Sequence, residues 1–221
     1  MAETKSISML RLIFIPSVIT LGITLLRLVG ELQHWPTALF SREAGGGLAI
    51  IGIWWLPLLF GVYFAFKLYE AGQGPEDRGR AIRLSIVGLV LFVAGGFIAA
   101  APQINFPGRR IVGTVLLLLA IGLQYAGWPQ LFKILLAYAF AARIPVLIIM
   151  YLAMRGDWGT HYDAVQPEYA GLAFWPKFLQ FAFLAQMFLW IPFTIITGMV
   201  TGSIAAAIKQ RKNPTVQTAG A

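Results

Sequence analysis

Six apolar runs, at about 8–29, 48–69, 81–102, 110–127, 130–154 and 178–207, are separated by short charged connectors and occupy most of the 221 residues. At about 1.5 Å of rise per residue, each run is long enough to cross a hydrocarbon core about 30 Å thick. In that solvent a backbone must satisfy its own polar groups, so runs of this length are expected to be helices. The expected fold is an all-α integral membrane protein. A single six-transmembrane-helix bundle would cover 1–208, and a polar, disordered tail 209–221.

Composition narrows the function. A hydrophobic fraction of 58% exceeds the roughly 45–50% of soluble domains. The absence of cysteine excludes disulfides, thiolate metal ligands and thiol nucleophiles. A net charge of +8 suggests nucleic acid, but all of the 17 Lys and Arg except Arg143 lie at or near the ends of the apolar runs instead of forming one basic surface, so no nucleic-acid partner is expected.

Those cations set the orientation. With the N-terminus inside, Lys5, Arg11, Lys67, Arg78, Arg80, Arg83, Lys133, Lys209, Arg211 and Lys212 are cytoplasmic, while Arg27, Arg42, Arg109, Arg110, Arg155 and Lys177 are outside. The bias follows the positive-inside rule and predicts both termini in the cytoplasm, with the bundle in the inner membrane. The apolar stretch from Leu12 reaches Arg27 without a small-residue cleavage site, so the first run is expected to be retained as a helix. Trp35, Trp158 and Trp175 are expected at the outer interface and Trp128 at the inner one.

The first and fifth runs resemble each other in order. Each contains Ile-Pro (Ile15-Pro16, Ile144-Pro145), ends at an Arg, and leads to a loop with a His (His34, His161) and a later Glu (Glu43, Glu168). Each returning run has a Trp two places before a proline, Trp55-Leu-Pro57 and Trp190-Ile-Pro192. This pattern suggests a duplicated two-helix unit. Prolines inside helices would leave the carbonyls of Leu12, Ile53, Ala141 and Phe188 without intrahelical partners. Corresponding interruptions of this kind point to a transporter binding site, although kinks for packing explain them equally. Gly198, Gly202 and Ala206 recur every four residues and suit close helix packing, either within the chain or between copies.

Arg143 lies near the middle of the fifth run, and no Asp or Glu occurs in the core of any run. An arginine at that depth is expensive, by about 2.5–3.5 kcal/mol on insertion scales, so it should face the bundle interior. Gln186, Trp55 and Trp190 are the candidate neighbours, and a small anionic solute is the candidate ligand. On the outer face, His34, His161, Asp163 and Glu168 are candidate metal ligands, against a solvated loop of weak ion pairs in which Arg27 and Glu31 are one pair. No complete catalytic motif or cofactor fingerprint is present, and no cofactor is expected.

Three functions remain. The first is a permease or channel-like protein for a small anionic solute. The second is a non-catalytic subunit, as a homo-oligomer or in a larger membrane complex. The third is an outer-face metal-dependent enzyme. All three have the lipid bilayer as a partner.

Overall fold

A computed structural model describes residues 8–47, 49–101 and 103–211. The described residues are helical, without strands. The elements are α1 (Met9–Leu32), α2 (Leu56–Glu70), α3 (Arg78–Ala100), α4 (Arg109–Gly127), α5 (Pro129–Gly156), a single turn α6 (Phe174–Lys177) and α7 (Ile191–Arg211). Two stretches of π-helix, Phe178–Phe183 and Ala185–Trp190, join α6 to α7. Among the described residues, five helices are long and apolar enough to cross a membrane: α1, α3, α4, α5 and the continuous Phe174–Lys209. Their outer surfaces carry large apolar side chains, including Leu10, Phe14, Ile111 and Leu118, each more than 60% exposed. Such surfaces require lipid as their solvent.

The expectation for the second run changes. The helix expected over 48–69 begins only at Leu56, because the chain from Ala49 to Trp55 is irregular. Pro57 is therefore the second residue of a helix, where a missing N–H is harmless. Ile53 consequently has no helical carbonyl to lose. Pro192 is the second residue of α7 but lies inside the continuous helical run Phe174–Lys209, directly after π-helix, and Pro16 and Pro145 lie inside α1 and α5. The tail expected from 209 lies outside the described residues from 212 onward, as do residues 1–7 and thus both termini. Lys209 itself is in α7, with Nζ 2.8 Å from Glu70 Oε1.

Contacts divide the chain into two compact units. The first comprises the described parts of Met1–Leu12, Pro57–Leu136 and Thr194–Ala221. In it, Asp77 starts α3 by accepting the Arg80 N–H at 2.9 Å, and Pro129 starts α5 at its first position. Trp128, expected at an interface, is fully buried, and its indole N–H donates to the Gln73 carbonyl at 3.0 Å. It thereby ties the polar turn before α3 to the junction of α4 and α5. Antiparallel α3 and α4 touch through backbone, since a Cβ on Gly113 would stand 2.6 Å from the Gly95 oxygen.

The small-residue ladder of α7 is used inside this unit. A Cβ on Gly202 would lie 2.7 Å from Leu131 Cδ2 and 2.8 Å from the Gly61 oxygen, and Ala206 is fully buried. A Cβ on Gly61 would overlap the Gly198 carbonyl oxygen and stand 2.6 Å from the Gly198 Cα. Gly61→Val is therefore expected to destabilise the unit by about 1–3 kcal/mol, the usual effect of overpacking. Thermal unfolding in detergent measures this. Gly122→Ala, at a position with nothing within 4 Å, is the control and should be neutral or mildly stabilising.

The second unit comprises Ile13–Leu56 and Ala137–Phe193. Its apolar contacts gather around Val146, Ile149 and Ala153 of α5 with Tyr162, and around Met154 with Phe178 and Ala182 of the π-helical stretch. Both of its connectors begin with a non-glycine residue at positive φ, His34 at 56° and Asp157 at 46°. Both then contain a short 3-10 turn, Ala44–Gly46 and Pro167–Tyr169. The two hairpins thus share turn placement as well as residue order.

Candidate functional site

The site lies within the second unit and starts from a polar stripe on α1. Thr20, Thr24, Arg27 and Glu31 are spaced by four, three and four residues, so they share one helix face, and all four are buried. Thr24 Oγ1 donates to the Thr20 carbonyl at 2.9 Å, and Thr20 Oγ1 donates to the Pro16 carbonyl at 2.8 Å. The Tyr162 hydroxyl donates to the Thr24 carbonyl at 3.2 Å.

The lower end of the stripe is an ionic knot. Arg27 Nε donates to Glu31 Oε1 at 2.7 Å, and Arg27 Nη2 donates to the carbonyls of Ser41 at 3.1 Å and Gly46 at 2.9 Å. Glu31 Oε2 accepts the His161 backbone N–H at 2.8 Å, and the His161 Nδ1 lies 2.6 Å from Glu31 Oε1. Glu31 already accepts from Arg27 Nε and from the His161 backbone N–H, so Nδ1 of a neutral His161 carries the hydrogen and donates it to the same carboxylate. One helix end is thereby stapled to both connectors. Gly46 fits because its φ is 78° and because a Cβ there would stand 2.7 Å from Arg27 Nη2 and 3.0 Å from His161 Cδ2.

Burial pushes the His161 imidazole below its ordinary value and Arg27 adds to this, while the Glu31 carboxylate opposes both. Because its folded value is depressed, His161 contributes stability that is present above about pH 6.5 and is lost as pH falls below that. The melting temperature in detergent should therefore drop between pH 7.5 and pH 5.5. His161→Gln, which keeps a donor for Glu31, should flatten that dependence.

Above the knot is a cavity of about 600 Å³. Its wall takes Thr24 and Arg27 from α1; Gly52, Ile53 and Trp54 from the irregular stretch; and Arg143, Val146 and Met150 from α5. His161 and Tyr162 from the second connector and Phe181, Ala185, Gln186, Leu189 and Trp190 from the π-helical stretch complete most of it. Phe181, Ala185 and Leu189 follow one another at four residues, as do Gln186 and Trp190, so these side chains share the face turned to the cavity. The π-helix thus turns a continuous row of side chains toward the cavity.

Arg143 is buried, and its guanidinium carbon sits 4.8 Å from the centre of the Trp190 ring. The residue stands halfway along α5, 14 residues after Pro129 and 13 before Gly156, about 20 Å of helix from either end. Gln186 Nε2 is 3.4 Å from Met150 Sδ, and its buried Oε1 has no hydrogen-bond partner. The wall holds two arginines and no Asp or Glu.

Of the residues expected around a ligand, Arg143, Gln186 and Trp190 do come together on this wall. Trp55 is not among its residues; its indole N–H donates to the Ile50 carbonyl at 3.2 Å, and the neighbouring Trp54 takes the wall position. The outer-face metal set is not assembled, since among the described residues no three His, Asp or Glu side chains gather as metal ligands. Three of the four have other partners. Asp163 accepts the backbone N–H groups of Gly159 and Thr160 at 2.9 and 2.8 Å, His161 bonds Glu31, His34 bonds the Glu31 carbonyl at 3.1 Å, and Glu168 is exposed in a 3-10 turn.

Sequence reasoning took Glu31 only as a local partner of Arg27 and did not single out Thr24 or Tyr162. Glu31 had a signal: a carboxylate in the last turn of a helix opposes the helix dipole, so its presence there implies a strong partner. The chain matches no protein-family model, no curated protein and no solved structure.

Proposed function

We propose that this protein is a permease or channel-like protein of the inner membrane, with six crossing segments and both termini cytoplasmic, that binds and moves a small organic anion. The observation that carries this reading is the cavity wall: two arginines, no carboxylate, and Arg143 halfway along a membrane-length helix. An arginine at that depth faces the interior, and a guanidinium on a cavity wall can hold an anion through paired N–H groups. Trp54, Tyr162, Phe181, Trp190 and Phe193 make the wall rich in aromatic surface, so the ligand is a monoanion with an apolar or aromatic body.

The sixth crossing is the segment from Ala49 to Glu70. Its 15-residue helix covers about 22 Å, and the seven irregular residues before it supply the remainder. Irregular backbone is tolerated at membrane depth where it lines a cavity, as Gly52, Ile53 and Trp54 do.

Benzenesulfonate is a suitable probe because it is aromatic and ionised at all working pH values. It should raise the melting temperature of the purified protein, by mass action on the native state, and enter proteoliposomes that contain the protein. Inorganic sulfate and neutral benzamide should do neither. No response to benzenesulfonate in either assay would favour the assembly-subunit reading.

A further inference from the structure

We infer that the cavity binds its anion and a proton cooperatively, and that the proton is taken up by Nε2 of His161. The inference deepens the anion-binding reading and rests on it. Its geometric basis is the division of labour on one imidazole. Nδ1 is committed to Glu31, at 2.6 Å from Oε1 and 2.8 Å from Oε2, and the backbone N–H of the same residue is committed to Oε2. The ring is therefore fixed in orientation and tautomer, with the Nε2 lone pair on the edge directed away from Glu31. His161 is itself part of the cavity wall, and Gly46, which lacks a side chain, leaves room at the adjacent Cδ2.

The charges around this edge decide the sign of the coupling. Arg27 and Glu31 reach His161 from α1, Asp163 and Tyr162 flank it in its own connector, and Arg143 faces the same cavity from α5. His34 bonds the far side of Glu31 through the backbone carbonyl. With the cavity empty, Arg27 opposes an imidazolium while Glu31 and Asp163 favour it, and Arg143 adds a positive charge to the same wall. A bound monoanion cancels that opposition, so anion and proton each favour the other. No covalent bond to the ligand is made. One N–H bond forms at Nε2, its proton comes from the medium, and the Nδ1–H stays on Glu31.

The consequence for transport is electrical. The empty cavity and the cavity holding one anion and one proton carry the same charge, so the cycle moves no net charge. An anion entering alone would work against an inside-negative potential at about 2.3 kcal/mol per 100 mV. Co-uptake of a proton removes that opposition.

The test is benzenesulfonate binding to the purified full chain between pH 8 and pH 5.5, with proton uptake on binding followed in weakly buffered solution. Because the probe does not titrate there, any proton taken up belongs to the protein. Affinity is expected to rise as pH falls, by up to tenfold per pH unit within the responsive window, with uptake approaching one proton per anion. His161→Gln should abolish both the pH dependence and the uptake, while His34→Gln, which removes the other histidine, should leave both in place. Pairwise outcomes are distinct. Binding that is independent of pH, or proton uptake that survives in His161→Gln, overturns the coupling and leaves anion binding standing; no binding at any pH overturns both. Should His161→Gln not fold, proton uptake by the unaltered protein decides alone.

Discussion

Glu31→Ala is expected to lower stability by about 3–5 kcal/mol, the effect of removing one partner from a buried ion pair. The size follows from what the carboxylate holds. It pairs with Arg27 at 2.7 Å and accepts both the Nδ1–H and the backbone N–H of His161. Removing it leaves the Arg27 guanidinium buried with carbonyl partners only and frees the second connector from the end of α1. Arg27→Met on its own should also be destabilising, because it strands Glu31. Joining the two changes as Arg27→Met with Glu31→Leu should recover part of the loss, since apolar groups of similar volume often replace a buried pair. Thermal or denaturant unfolding in detergent measures all three. If Glu31→Ala loses less than about 1 kcal/mol, the pair is behaving like an exposed one and the knot has no structural role.

Arg143→Met should reduce benzenesulfonate affinity by at least a hundredfold without unfolding the protein. The interaction lost is a charge-assisted one in a site of low polarity, where hydrogen bonds to ions count for roughly twice their neutral equivalents. Stability should hold or rise, because a packed apolar side chain removes a buried charge. Arg143→Lys separates charge from shape. It keeps the cation but loses the planar guanidinium that stacks on Trp190 at 4.8 Å and that can grip a sulfonate bidentately, so affinity should fall about tenfold. Equal binding by all three proteins would assign Arg143 to packing alone.

The helical membrane class is legible in the apolar runs because lipid leaves a long apolar segment few alternatives. The irregular Ala49–Trp55 stretch is less so. Its residues are apolar, and its departure from helix depends on Gly47 and Gly52, on Pro57 as a helix start, and on neighbours far along the chain. The π-helical stretch is equally hidden, because Phe178–Trp190 has the composition of any lipid-facing helix. Only the proline at 192, which cannot donate to an i−4 carbonyl, hints at altered pairing before it.

The site divides along the same line. Arg143 is conspicuous in sequence as a charge in mid-run, and Gln186 and Trp190 follow as the polar and aromatic groups near the matching proline. The Arg27–Glu31–His161 knot is half legible: the four-residue spacing of Arg27 and Glu31 reveals the pair, while the 130-residue separation of Glu31 and His161 hides its third member. Read as a stripe, Thr20, Thr24, Arg27 and Glu31 define the buried face of α1, since in lipid the polar side of a helix turns inward. His34 and His161 attract attention as metal ligands by residue type, yet local turns and the ion pair claim the groups around them.

The most direct measurement of the central claim is the equilibrium affinity of the purified protein for benzenesulfonate at pH 7, compared with Arg143→Met, each shown folded by its melting transition. Saturable binding by the unaltered protein, at least a hundredfold weaker in Arg143→Met, is the predicted result. Absence of saturable binding, or equal binding by the two proteins, would contradict the assignment of this cavity to an organic anion.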